Sequence, residues 1–138
     1  MEIKKNYSHL EERNSYYHTI INTMDSLIRA EGNQRFDSEI TIPEWVGINP
    51  PMLSVSSYKT ASSIGIFSYI DFNTADNISK VYLVQDELQK LGSEAIRSLI
   101  SGEIYNSQSI HFLFTIFTEL NTGWINAADR ALATNPIK

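Results

Sequence analysis

Cysteine is missing altogether from this 138-residue chain. Its absence excludes disulfides, thiolate nucleophiles and zinc–thiolate centres. It also points toward a reducing compartment, because small secreted domains commonly depend on disulfides. Long apolar runs are missing too. The most apolar stretch, Ile110–Leu120, is interrupted by Thr115, Thr118 and Glu119 and falls well short of the roughly 20 residues needed to span a bilayer. No apolar segment follows Lys4 and Lys5, so no secretory leader is expected. The expectations are a cytoplasmic location and no membrane partner. Glycine is sparse, with six residues, and no two of them have the spacing of a nucleotide-binding loop. The serines between Ser54 and Ser68 lack the flanking glycines of a nucleophile elbow.

Positive charge is in short supply. Eleven basic residues against sixteen acidic ones leave a net charge of −5, which repels nucleic acid and anionic lipid at long range. No nucleic-acid partner is expected. The acidity is also too mild for a mimic of DNA, which would need carboxylates spaced like phosphates. Apolar residues make up 42% of the chain and charged residues 20%, enough to fill one core, so a single domain over residues 1–138 is expected.

The hydrophobic period then divides the chain. Leu10, Tyr17, Ile21, Met24 and Ile28 share one helical face, with Asn14 in a polar slot, and predict a helix from about Tyr7 to Glu31. Gly32-Asn33 supplies the stop. From Arg35 onward Phe36, Ser38, Ile40 and Ile42 alternate with Asp37, Glu39 and Thr41, the two-residue period of a half-buried strand. Leu53–Val55 and Ile64–Ile70, rich in β-branched and aromatic residues, add a short hairpin or meander. A helix over Thr60–Ile70 is the rival there, since Ala61, Ile64, Phe67 and Ile70 are three apart. Ile78, Val81, Val84, Leu88, Leu91, Ala95 and Leu99 predict a helix over about 77–101, capped by Thr74 or Asp76, with Gly92 as a potential break. Ile110, Leu113, Phe117, Leu120, Trp124, Ala127 and Ala131 predict a last helix over about 107–133.

The expected fold is therefore α+β: an N-terminal helix, a small antiparallel sheet and two C-terminal helices, with an all-α bundle as the alternative. The last helix is apolar around most of its girth, which leads to the expectation of a homo-oligomer.

Arg13-Asn14-Ser15-Tyr16-Tyr17-His18 resembles the short arginine–polar–x3–histidine motif of HEPN ribonucleases. The resemblance implies an arginine that stabilises a phosphorane and a histidine acting as general acid or base. The alternative is that Arg13 and His18 sit on the wet flank of the first helix. His9 and His18 point to nearly opposite sides of that helix, and His111 has no carboxylate one turn away, so no metal and no cofactor are expected. Asp86 with Lys90, and Glu94 with Arg97, have the spacing of ordinary surface ion pairs.

With no assembled catalytic site, the leading expectation is a non-enzymatic protein-binding module that occludes a partner: an immunity protein, an antitoxin, a phage inhibitor of a host factor or a secretion chaperone. Asp37, Glu39, Glu44 and Trp45 form the expected contact patch, an acidic strand face beside an aromatic loop that steers a basic target. The Trp45 side chain has the competing role of a lid on the core. A small-molecule sponge is the second class, with Phe67, Tyr69 and Trp124 as pocket aromatics.

Overall fold

A computed structural model describes residues 2–36, 42, 44–51, 53–101 and 106–134. The protein is an all-helical bundle, and the expected α+β fold is wrong. Its elements are α1 (Glu2–Glu31), α2 (Ser56–Ser63), a 3-10 turn (Ile66–Tyr69), α3 (Phe72–Ile100) and α4 (Ser107–Thr134). No strand occurs among the described residues.

The three long helices follow their periodicity. α1 buries Leu10, Tyr17, Ile20 and Met24, and extends five residues earlier than expected because Ile3 and Asn6 continue the same face inward. α3 also starts earlier. Its cap is Asp71, not Thr74 or Asp76: the Asp71 carboxylate accepts hydrogen bonds from the backbone amides of Asn73 and Thr74 and from the Thr74 hydroxyl. That satisfies donors a helix start otherwise leaves open. Gly92 does not break α3. A Cβ there would meet the Pro50 side chain at 2.8 Å, so glycine is present to let the loop approach.

α4 packs against both α1 and α3. The end of α1 meets the start of α4, where Gln34 and Ser107 exchange backbone-to-backbone and backbone-to-hydroxyl bonds, each 2.8 Å. At the other end Glu2 and Asn6 of α1 reach Tyr82 and Gln85 in the first half of α3. α1 and α3 therefore run parallel, and α4 antiparallel to both. This encloses α4 within the chain: Ile110, Phe114, Phe117 and Trp124 are fully buried. Of its large apolar residues only Phe112 is classed as exposed, so a second copy is not required to hide this helix.

The fourth side of the bundle is a loop. It runs back along α1 toward the start of that helix, and side chains hold its backbone. Tyr16 donates to the Gly47 carbonyl and Tyr17 to the Asn49 carbonyl, both at 2.7 Å. Asn6 pairs with both backbone groups of Ser54, at 2.8 and 3.0 Å, and Gln85 and Gln89 donate to Ser54 and Leu53. A strand would need a neighbouring ladder to satisfy these groups; here helix side chains satisfy them instead.

Of the first expected strand, over 36–42, residues 37–41 lie outside the described residues. Arg35 makes one isolated bridge to Asn106, and Phe36 and Ile42 pack on the core. Leu53–Val55 lies in the loop, and Ile64–Ile70 forms the 3-10 turn and its flanks. The rival helix over Thr60–Ile70 is half right: α2 ends at Ser63, and Gly65, at φ 73°, turns the chain out of it.

Candidate functional site

α2 and the 3-10 turn bury no side chain of their own. Together they form a flap across one end of the bundle, where α1 and α3 begin and α4 ends. Between flap and bundle lies a cavity of about 630 Å³. The flap contributes Tyr58, Ala61, Ile66 and Phe67, and the bundle contributes Ile3, Ile78, Tyr82 and Leu132. Tyr58 ties the two sides together. Its ring stacks on Tyr82 of α3, with centroids 4.1 Å apart and planes 11° from parallel, and meets Phe67 at 5.5 Å. At the mouth, Tyr69 is 86% exposed, and Ile66 and Ile70 are 44% and 38% exposed.

Polar groups on this wall cluster at two carboxylates. Glu2 Oε1 accepts from the Tyr82 hydroxyl at 2.5 Å, and Oε2 from the Ser54 hydroxyl at 2.9 Å and the Ser57 amide at 3.0 Å. Burial by itself would raise the Glu2 carboxyl, but these hydrogen bonds outweigh it and hold the group below the usual range. Tyr82 is pushed the other way, by burial first and then by the adjacent Glu2, and so stays a protonated donor. Asp71, the α3 cap, is the second carboxylate, kept below the usual range chiefly by the Thr74 hydroxyl.

A pH dependence follows from Glu2. Its folded-state pKa is depressed, so its contribution to stability is complete above the ordinary glutamate value, about 4.3, and is lost as pH falls through the folded value. The stability difference between wild type and Glu2→Gln, measured by urea unfolding, should be constant from pH 7 to 5 and shrink below pH 4. A difference that grows in acid would contradict this arrangement.

The residues expected from the sequence are distributed differently. Phe67 and Tyr69 do line the pocket, as expected for the sponge reading, but Trp124 does not. It is fully buried, its Nε1 donating to Gln85 at 3.3 Å and its ring meeting Tyr7 edge-on. In the expected partner patch, Asp37 and Glu39 lie outside the described residues. Glu44 is exposed, and Trp45 packs edge-on against Phe114 at 5.7 Å, which makes it a lid on the core. Tyr16 and Tyr17 hold the loop rather than face solvent. Arg13 is half-buried with its Nε lacking a hydrogen-bond partner, Asn14 accepts from Asn121 at 3.3 Å, and His18 is exposed. Arg13 and His18 therefore occupy different environments. Among the described residues no three histidine or carboxylate side chains are grouped to hold a metal ion, and no helix is long and apolar enough to cross a membrane.

Glu2, Tyr58, Asp71 and Tyr82 escaped the sequence reading. The helical stripe of α3 includes Ile78 and Val81 but skips Tyr82, and Glu2 precedes the expected start of α1. The one available signal was the Asp71-Phe72-Asn73-Thr74 run, whose aspartate three before a threonine is a helix-start pattern.

No family model, no curated protein and no solved structure matches this chain.

Proposed function

We propose that the chain is a non-catalytic binding module whose site is the cavity beneath the α2–3-10 flap. The observation that carries this reading is the cavity itself, about 630 Å³ and apolar over most of its wall, with a few hydrogen-bonded polar groups at one side. That is the size and character of small-molecule sites, which run from roughly 300 to 1,000 Å³. The flap adds support. None of its side chains is fully buried and it holds to the core through the partly buried Tyr58 ring, an attachment suited to opening and reclosing over a ligand.

The test uses a neutral apolar fluorophore, N-phenyl-1-naphthylamine, with emission followed during titration. A saturable rise at one equivalent is expected, together with thermal stabilisation that grows with probe concentration, worth about 2.7 kcal/mol at a hundredfold excess over Kd. Ala61→Trp, which fills the cavity from the flap side, should abolish the rise while leaving the helical circular dichroism intact. A rise that does not saturate, or that survives Ala61→Trp, would defeat the proposal.

A protein partner is the second reading, in which the module occludes a target as an immunity protein, antitoxin, inhibitor or secretion chaperone would. The observation favouring it is the exposed apolar surface of the flap region and the start of α3, where Ile64, Tyr69 and Phe72 are 67%, 86% and 81% exposed, an apolar collar of the kind that marks contact surfaces. On this reading the partner docks on the collar rather than on Glu44 and Trp45. A purified binding partner whose affinity is unaffected by Tyr69→Asp would remove it.

A further inference from the structure

We infer that the ligand of this pocket is an organic cation, an amine or quaternary ammonium group carried on an apolar body. The inference deepens the proposed binding function and rests on it. Size and apolar lining call for the body; the charge of the wall selects the head group. Glu2 and Asp71 both line the cavity, and none of the described lining residues is basic. The hydrogen-bond donors to Glu2 are neutral: the Tyr82 hydroxyl, the Ser54 and Ser57 side chains and the Ser57 amide. Among the described residues no ion pair reaches it. Its negative charge is thus held in place and ionised, with no described cation against it.

The aromatic wall favours the same occupant. Rings attract a cation to their electron-rich faces, most strongly where the site is desolvated. Three rings line the cavity, Tyr58 contacting both Phe67 and Tyr82, and the bond from the Tyr82 hydroxyl to the Glu2 carboxylate adds electron density to one of them. An anionic head group finds no equivalent. The amides at the start of α3, the natural anion site on this wall, already donate to Asp71.

The experiment compares three probes with one apolar body and different charge: 4-phenylbutylamine, 4-phenylbutan-1-ol and 4-phenylbutyrate. Each is titrated calorimetrically into the wild-type protein at pH 7 and low salt. The amine is expected to bind roughly tenfold tighter than the alcohol, and the carboxylate weakest of all. Glu2→Gln should bring the amine down to the alcohol's affinity and leave the alcohol unchanged. Asp71→Asn, which keeps a good capping side chain, should reduce the amine's advantage without loss of helix content. Alcohol binding with no preference for the amine overturns the cation assignment and leaves the pocket reading standing. An amine preference that survives both substitutions together also overturns it. Failure of all three probes to bind overturns the assignment and the pocket reading alike.

Discussion

Trp124→Ala should remove about 3–5 kcal/mol of stability, the range for deleting a large buried aromatic side chain. Trp124 is fully buried at the centre of α4, between α1 and α3, and neither neighbour can collapse far into the space it would leave. Its indole also donates to Gln85 Oε1 at 3.3 Å, an atom then left with the equally long bond from Asn6. Against a total of roughly 5–15 kcal/mol for a domain, this loss amounts to a fifth or more of the whole. Urea unfolding followed by circular dichroism measures it directly. Trp124→Phe keeps most of the volume while removing the N–H and part of the ring, so its cost should be well below that of alanine. An alanine variant destabilised by less than roughly 1 kcal/mol, an ordinary surface effect, would mean that Trp124 is not the keystone of this core.

The second large effect is expected at Asn6. This residue is 1% exposed, and its amide meets the Ser54 carbonyl, the Ser54 amide and the Gln85 side chain at once. Asn6→Leu leaves the Ser54 amide without its acceptor, at a cost of about 1–3 kcal/mol. Asn6→Asp should be worse at neutral pH, since it buries a carboxylate facing the Ser54 carbonyl and the Gln85 oxygen, both acceptors. Burial raises the folded-state pKa of such a carboxyl above its unfolded value. The aspartate variant should therefore recover stability as pH falls through that raised value, whereas the leucine variant should not. Unfolding curves for both variants at pH 7 and pH 5 decide the matter, and equal behaviour at the two pH values would refute the buried-network account. The consequence reaches the pocket as well. Ser54 donates to Glu2 at 2.9 Å, so loosening Ser54 also frees the carboxylate that lines the pocket.

Both predictions concern contacts between residues far apart in the chain, and that distance marks where the sequence became illegible. The pocket shows it clearly. Phe67 and Tyr69 could be picked out as aromatics in a mixed segment, but nothing local ties them to Glu2 and Tyr82, which are 80 positions apart. Trp124 was drawn into the same group by its chemistry, whereas its size and its place on the apolar stripe of α4 commit it to the core. Trp45, the expected anchor for a partner, packs against Phe114 for the same reason: a large ring near an apolar helix is worth more buried than exposed.

The sequence by itself determined the three long helices, their inner faces and the stop at Gly32, because a 3.6-residue repeat over seven or eight turns is a local property that packing only reinforces. The segments between them were decided by tertiary structure. Ile64–Ile70 is β-branched and aromatic enough to read as a strand, yet that preference is a matter of fitting a pleated neighbour, and no neighbouring strand exists among the described residues. Gly65 and the Asp71 cap turn the segment into a flap instead. The described residues of 44–55 likewise carry no helical or strand ladder, and their path is set by Tyr16, Tyr17, Asn6, Gln85 and Gln89 reaching them from α1 and α3. A short segment has too few hydrogen bonds of its own to impose a conformation, so it takes the one that the surface of the assembled helices can satisfy.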